Sequence, residues 1–269
     1  MNILFYSRNF YPHVGGAEEQ AKNLAHELQK NDHNVYILTS QTHSQLKKLE
    51  YLFGLAIIRH REALFGNKIS GGRLSTIIWM LSLSFHLLLF KKKIDIVHIH
   101  LASRQAGLII LLCEIFKIPT ILKLANTGEG SDLGHLKQNK IFYGKFFYKL
   151  IKKASVFIAT TSSMKKELVN EHTLPEDKIR IIPNGVNYKV LSKLNSKKDF
   201  NNNIIFVGRL VPSKKPEVLI DAIYNLANIG IECNVNVYGD GKLYHILKSK
   251  LKENNLDKNI SLLGNIDQK

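Results

Sequence analysis

Short runs of β-branched and aromatic residues alternate along this chain with stretches whose apolar residues recur every three or four positions. No other feature of the sequence narrows the possible folds as much. NILFY (2–6) has strand composition, and AEEQAKNLAHEL (17–28) carries apolar residues at 17, 21, 24, 25 and 28, a helical spacing. NVYILTS (34–40), LAIIRH (55–60), DIVHIH (95–100), TILKLA (120–125), VFIATT (156–161) and IRIIPNG (179–185) continue the strand series, most of them with helical stretches between. Strands joined through helices run parallel, so the pattern predicts an α/β fold with helices on both faces of a parallel sheet.

The alternation stops at NYKVLSKLNSKKDFNNN (187–203), which is polar and weakly periodic, and restarts at IIFVGRL (204–210). The expected organisation is therefore a first domain over 1–187, a hinge over 188–203 and a second unit over 204–269. The second unit offers a helix at 216–229, a strand at 234–239, a helix at 243–254 and a strand at 260–264. Three strands are few for a doubly wound domain, so this second domain reads as incomplete.

Charge limits the partners. Lys and Arg number 38 against 22 Asp and Glu, a formal charge of +16, which favours anionic ligands. Nucleic-acid binding would require a basic stripe with stacking aromatics, whereas these charges are scattered. Cys113 and Cys233 read as reduced core thiols, and the N-terminus shows no secretion signal. The apolar run 74–90 reads as a buried helix. With Lys91, Lys92 and Lys93 after it, a helix laid on an anionic membrane is the alternative.

Two places combine a strand end, a glycine and a helix start, where free N–H groups attract an anion. Gly15 and Gly16 follow the first strand, although a simple turn explains such a pair as well. Neither the dinucleotide fingerprint nor the P-loop is present. In VGRLVPSKKPEVL, Gly208 ends a strand, Arg209 follows, and Lys214 and Lys215 precede Pro216, a natural first helical residue. A guanidinium fork with an ammonium charge suits a diphosphate; a solvated basic turn is the alternative. His98 and His100 share a strand face but lack further ligands for a metal.

The order YPHVGGAEEQAKNLAHEL, DIVHIH, IRIIPNGV, VGRLVPSKKPEVLIDAI, VYGDG, SLLGNI resembles the retaining glycosyltransferases of family 4, also called group 1, over essentially the whole chain. The resemblance implies the GT-B fold, two Rossmann-like doubly wound parallel-sheet domains, with the acceptor on the first and a nucleotide-sugar donor on the second. It implies catalytic roles for Arg209 and Lys214 at the donor diphosphate. It also implies donor-binding roles for Gly15, Gly16, Gly208, Gly239, Gly241 and Ile266. Asn184 and Gly185 resemble the turn into the hinge. Asn126, Thr127, Gly128 and Glu129 stand where some relatives have a cleft loop, and a flexible Gly-rich loop is the alternative for them.

Two departures from the family pattern stand out. Many relatives carry a His after the fifth strand of the first domain, where this chain has KLANTGEGSDLG (123–134). The family's paired donor glutamates, which follow SLLG, are not reached before Lys269. By typical domain size on the order of a hundred further residues would complete such a site, and the chain is expected to be truncated.

The function expected from the resemblance is retaining, metal-independent transfer of a sugar from a UDP- or GDP-sugar, used as substrate, with no cofactor. The acceptor is a lipid-linked or polysaccharide-precursor glycan of the cell surface. Such an enzyme is cytoplasmic, at the inner face of the membrane, with peripheral contact to anionic lipid and no nucleic-acid partner. The alternative is a non-catalytic remnant with weak or no nucleotide binding.

Overall fold

The structure, a computed structural model, describes residues 1–13, 15–62, 73–128, 130–140, 143–186 and 203–266. The chain divides into two units, Met1–Val186 and Asn187–Lys269. The stretch read as a hinge lies outside the described residues except for Asn203, which begins a strand.

In the first unit the strands are β1 (Asn2–Ser7), β2 (Asn34–Gln41), β3 (Leu49–Leu52), β4 (Leu55–Arg61), β5 (Ile96–His100), β6 (Thr120–Lys123), β7 (Val156–Ala159) and β8 (Ile179–Ile181). They form one sheet in the order β3-β4-β2-β1-β5-β6-β7-β8, parallel except for β3. β1 is apolar on both faces, with Leu4, Phe5 and Tyr6 fully enclosed, as a central strand must be.

Helices cover both faces. On one face α1 (Gly16–Lys30) buries Ala21 and Ala25 against Ile3, Phe5, Val35 and Ile37. On the other, α2 (Arg73–Phe90), α3 (Arg104–Phe116) and α5 (Gly144–Ile151) enclose Leu4, Tyr6, Leu38 and Ile99 with Trp79, Leu83, Ile109 and Phe147. The short helices α4 (Asp132–Lys137) and α6 (Ser162–Asn170) follow β6 and β7. Ser103 starts α3 sharply, its hydroxyl accepting from the Ala106 N–H at 3.0 Å.

The structure departs from the sequence reading at three points. The helix over 74–90 forms, with Trp79, Leu83 and Leu87 buried in the core and Met80 and Phe90 packed against it; Ile77, Leu81, Phe85, Leu88 and Leu89 are 47–67% exposed. α2 packs on β4 and α3 along one side, so the core uses one face of a run that is apolar all round. Strand β8 ends at Ile181, not at 185, because Pro183 has no N–H for the ladder. The hairpin of β3 and β4 turns through Phe53 and Gly54, both at positive φ (55° and 72°), without the Asn-Gly or Asp-Gly signal that usually marks such turns.

The second unit holds β9 (Asn203–Val207), β10 (Asn234–Tyr238) and β11 (Ile260–Gly264), all parallel in the order β11-β10-β9. Helices α7 (Pro216–Asn228) and α8 (Tyr244–Glu253) bury Ile220, Ile223, Leu247 and Leu251 against Val235 and Val237. Ile205, Val207 and Leu263, which the alternation of the strands turns the other way, are exposed. Both units are Rossmann-like, the second with the smaller sheet. Cys113 and Cys233 are free and buried, and burial pushes the Cys113 thiol up to about 12. No helix among the described residues is long and apolar enough to cross a membrane.

Candidate functional site

The chain leaves β1 toward β2 on one side, while β5 pairs on the other, so the strand order reverses between β1 and β5. In open parallel sheets a crevice opens at such a point, at the carboxyl ends of the strands. Arg8 leaves β1 there, and Arg104 and Gln105 begin α3 after β5.

A buried carboxylate joins these groups. Glu62, 2% exposed just after β4, accepts from Arg8 Nε at 3.3 Å and Gln105 Nε2 at 3.2 Å through the same oxygen, Oε1. Its main-chain carbonyl accepts from Ser75 Oγ, on the first turn of α2, at 2.9 Å. The Arg104 guanidinium lies 5.6 Å from the centre of the Trp79 ring and donates to Thr76 Oγ1 at 3.4 Å. Burial, then the charge of Arg8, lowers the Arg104 pKa, with Glu62 opposing. Asp132, at the start of α4, is held above the ordinary carboxyl value by burial, against the pull of His135 and Arg8. Two guanidiniums and two carboxylates thus meet at this edge. Such a set of opposed donors and acceptors grips hydroxyl-rich ligands as well as anions.

Three histidines stand behind this edge. His60 Nε2 lies 3.1 Å from Ser40 Oγ, and burial brings its pKa to about 4. His98 and His100 lie beside Phe5, their rings tilted to each other with centres 4.7 Å apart, and His100 stacks on Phe5. Burial and nearby Lys123 lower His98 to about 4; burial, His98 and Lys123 hold His100 well below its usual value. All three are neutral near pH 7.

Gly15 is the extended N-cap of α1 and makes no side-chain cap bond. A Cβ at Gly15 would meet the end of the Glu18 side chain, whereas a Cβ at Gly16 would meet nothing within 4 Å. Internal packing therefore does not demand Gly16. The first N–H groups of α1 have no helical partner, although Glu18 and Glu19 place negative charge on that turn. Gln20 Nε2 donates to the Gly185 carbonyl at 2.9 Å, tying α1 to the Asn184–Gly185 turn.

In the second unit, Arg209 and Lys214 are exposed on the turn between β9 and α7, and neither is paired with a carboxylate among the described residues. Buried Leu210 fixes the turn: its N–H donates to the Asp240 carbonyl at 2.9 Å and its carbonyl accepts from Leu243 N at 3.0 Å. Gly239 and Gly241 have a reason the sequence did not show. A Cβ at Gly239 (φ 139°) would stand 1.9 Å from the Gly208 carbonyl oxygen, and one at Gly241 would stand 2.4 Å from that of Leu210. These glycines let two strand ends touch backbone to backbone. Gly264 accepts from the Gly239 N–H at 2.7 Å, and Ile266 is exposed beyond it.

Asn126, Thr127 and Gly128 form an exposed loop after β6, with the Gly128 N–H bonded to Glu167 Oε1 at 2.7 Å; Glu129 lies outside the described residues. Glu167, Glu171 and His172 bring ligand-type atoms within 4.8 Å of one another. Glu167 already accepts from the Gly128 N–H through Oε1, and His172 Nδ1 lies 3.1 Å from the Tyr148 hydroxyl. The sequence reading missed Arg8, Glu62, Arg104, Gln105 and Asp132. The one available signal, for Arg8 and Glu62, was their position just beyond strand ends.

Two family models cover the chain, Glycosyltransferase Family 4 over residues 14–190 and Glycosyl transferases group 1 over residues 189–269. An uncharacterized glycosyltransferase of Methanocaldococcus jannaschii is 30% identical over 95% of this chain and 64% of its own length. A UDP-Gal:alpha-D-GlcNAc-diphosphoundecaprenol alpha-1,3-galactosyltransferase of Escherichia coli is 29% identical over 68% of this chain. The chain thus spans about two thirds or less of these relatives, 64% and 50%. Among solved structures, the lipopolysaccharide outer core galactosyltransferase WaaB aligns with 99% of this chain and 69% of its own, at TM-score 0.67 and 15% identity.

Proposed function

The chain belongs to glycosyltransferase family 4, and on that premise we propose that it transfers a sugar, with retention, from a UDP- or GDP-sugar to a lipid-linked or polysaccharide-precursor acceptor of cell-surface glycan synthesis. The supporting observation is the exposed Arg209–Lys214 turn, fixed by Leu210 at the carboxyl end of β9 and the start of α7. Breaking a sugar–diphosphate bond builds negative charge on the departing oxygens, and cations set in place beforehand stabilise that charge most in the transition state. Arg209 supplies a planar fork and Lys214 a point charge, with Gly208, Gly239, Gly241 and Ile266 at the donor. On the first unit, the open backbone of Gly16 beside Gly15 gives a phosphate or sugar room to approach α1. Arg8, Glu62, Arg104 and Asp132 take the acceptor, and the Asn126–Glu129 loop flanks it. The first unit, Met1–Val186, forms the acceptor side and the second unit, Asn187–Lys269, the donor side.

Retention without a protein nucleophile requires the leaving phosphate to receive the acceptor proton on the face it departs from. No metal enters this scheme, and the reaction is placed at the inner face of the cytoplasmic membrane. The name of the E. coli relative supports a nucleotide sugar and a diphosphate-linked lipid as the pair of substrates. The test is release of nucleoside diphosphate from UDP- and GDP-sugars in the presence of undecaprenyl-diphosphate-linked GlcNAc, with and without EDTA. Transfer that survives EDTA and disappears in Arg209→Ala supports the reading. Nucleotide binding without transfer from any donor rejects it in favour of a non-catalytic remnant.

A further inference from the structure

We propose that the C-terminal end of α6 is a binding site for a zinc-type divalent cation, held by Glu167, Glu171 and His172. Their ligand-type atoms lie within 4.8 Å of one another. Two carboxylates that meet near a surface are not by themselves a site; the imidazole is what points to an ion. The His172 side chain is 3% exposed, and its Nε2, 3.8 Å from Glu167 Oε1, makes no hydrogen bond among the described residues. The other ring nitrogen sets the tautomer. The Tyr148 hydroxyl donates to the His172 carbonyl at 3.3 Å and lies 3.1 Å from Nδ1. A phenol has one proton, so both bonds form together only when Nδ1–H donates to Tyr148. In the neutral ring Nε2 is then a bare lone pair opposite a carboxylate, and buried polar groups are rarely left so without a partner. The 3.8 Å separation is too long for a hydrogen bond. It matches two ligand atoms on one shared ion, because bonds of about 2.0–2.2 Å at tetrahedral to wider angles set them about 3.3–4.3 Å apart.

The donor set selects the ion. Imidazole beside carboxylates suits zinc and its first-row neighbours, whereas magnesium and calcium take oxygen ligands. Three protein ligands and a water complete a four-coordinate zinc site. Tyr148 is the outer partner that such an imidazole needs to hold its orientation. Glu171 is the C-cap of α6, and the partial negative charge of a helix C-terminus favours a cation. Its carboxylate is exposed and has no partner among the described residues, so it is free to swing onto the ion. Glu167 accepts from the Gly128 N–H through Oε1, which leaves Oε2 and further lone pairs for a metal. Lys137 Nζ donates to the Glu171 main-chain carbonyl, and two carboxylates outweigh its single charge. The ion is structural: it pins the loop after β6, through Glu167 and Gly128, to the end of α6 and to Tyr148 on α5. That this loop flanks an acceptor is the only part that rests on the transferase reading.

The test is calorimetric titration of the full chain, stripped with EDTA and returned to chelator-free buffer, with zinc chloride. Saturable uptake of zinc that excess magnesium does not displace is expected, together with a rise in melting temperature. Glu171→Ala should bind about a hundredfold more weakly and lose that rise, while its melting temperature without zinc stays at the parent value, since the carboxylate is exposed. Tyr148→Phe keeps the ring but not the bond to Nδ1, and should bind roughly tenfold more weakly. His172→Gln should abolish binding; should that buried change prevent folding, Glu171→Ala carries the test alone. Absence of saturable zinc binding by the parent overturns the proposal. Equal zinc affinity in parent and Glu171→Ala places the ion elsewhere and also overturns it, as does displacement by magnesium, which would remove the imidazole from the ligand set. The readout does not involve sugar transfer. Zinc binding by a chain that transfers no sugar therefore upholds this site and rejects the transferase reading, and transfer without zinc binding does the reverse.

Discussion

Arg8 Nε stands 3.3 Å from Glu62 Oε1, so the first residue beyond β1 is held by the first residue beyond β4, with β2 between those strands. Glu62 is buried and Arg8 half-exposed, so the carboxylate anchors and the guanidinium presents. Glu62→Ala should cost about 1–3 kcal/mol of stability, because it leaves Gln105 and Arg8 without their acceptor. Glu62→Gln should keep most of that stability and raise the acceptor KM by loosening Arg8. Urea midpoints and acceptor kinetics check both. An unchanged acceptor KM in a folded Glu62→Gln protein would remove this pair from the site.

Arg209 and Lys214 should separate catalysis from folding. Both are exposed, so alanine at either position should leave the unfolding midpoint nearly unchanged. Turnover should fall by roughly a hundredfold to a thousandfold, the range seen when one charge-stabilising group is removed. Arg209→Lys should recover only part, since an ammonium lacks the fork. A turnover within a factor of about two of the parent in Arg209→Ala would sink the assigned role.

The glycines should divide into two kinds. Gly239→Ala drives a methyl into the Gly208 carbonyl and should destabilise the second unit by about 1–3 kcal/mol or more. Gly16→Ala meets nothing inside the chain and should hold or raise stability by about 0.5–1 kcal/mol. The same Gly16→Ala change should weaken donor use, because the methyl occupies the space in which a ligand approaches. Calorimetric melting and donor KM together decide, and Gly16→Ala with parental kinetics would return that glycine to an ordinary turn.

Acid should weaken the fold before the carboxylates titrate. His60 and His98, lowered to about 4, stay neutral in the fold but take up protons when unfolded below about 6.5. The unfolded chain then binds more protons, so their contribution is whole above 6.5 and is lost as pH falls toward 4. His100 acts in the same sense, and Asp132, with its raised pKa, opposes them at the low end. The melting temperature should drop steadily from pH 6.5 to 4, with a shallower slope in His98→Gln. A flat profile over that interval would contradict the burial of these rings.

What the sequence disclosed was local. Strands show through their β-branched runs, and the Arg209–Lys214 turn shows because strand end, cations and helix start are contiguous. Residues 8, 62 and 104 are far apart in sequence and meet only through the strand order, which no local spacing encodes. The length of α2 was readable, but its exposed side was not, since an all-apolar run carries no phase. Gly239 was conspicuous as a glycine, while its reason, the carbonyl of Gly208, lies just past the end of another strand. The hairpin at Phe53 and Gly54 was missed because a bulky residue occupies the positive-φ position where Asn is usual.

The sheet of the second unit turns Ile205, Val207 and Leu263 outward, and β9 and β11 have no further strand beside them among the described residues. An exposed apolar sheet face is a surface on which chains associate. Charged substitutions at Ile205 and Val207 are therefore the place to begin in keeping concentrated solutions of this polypeptide clear.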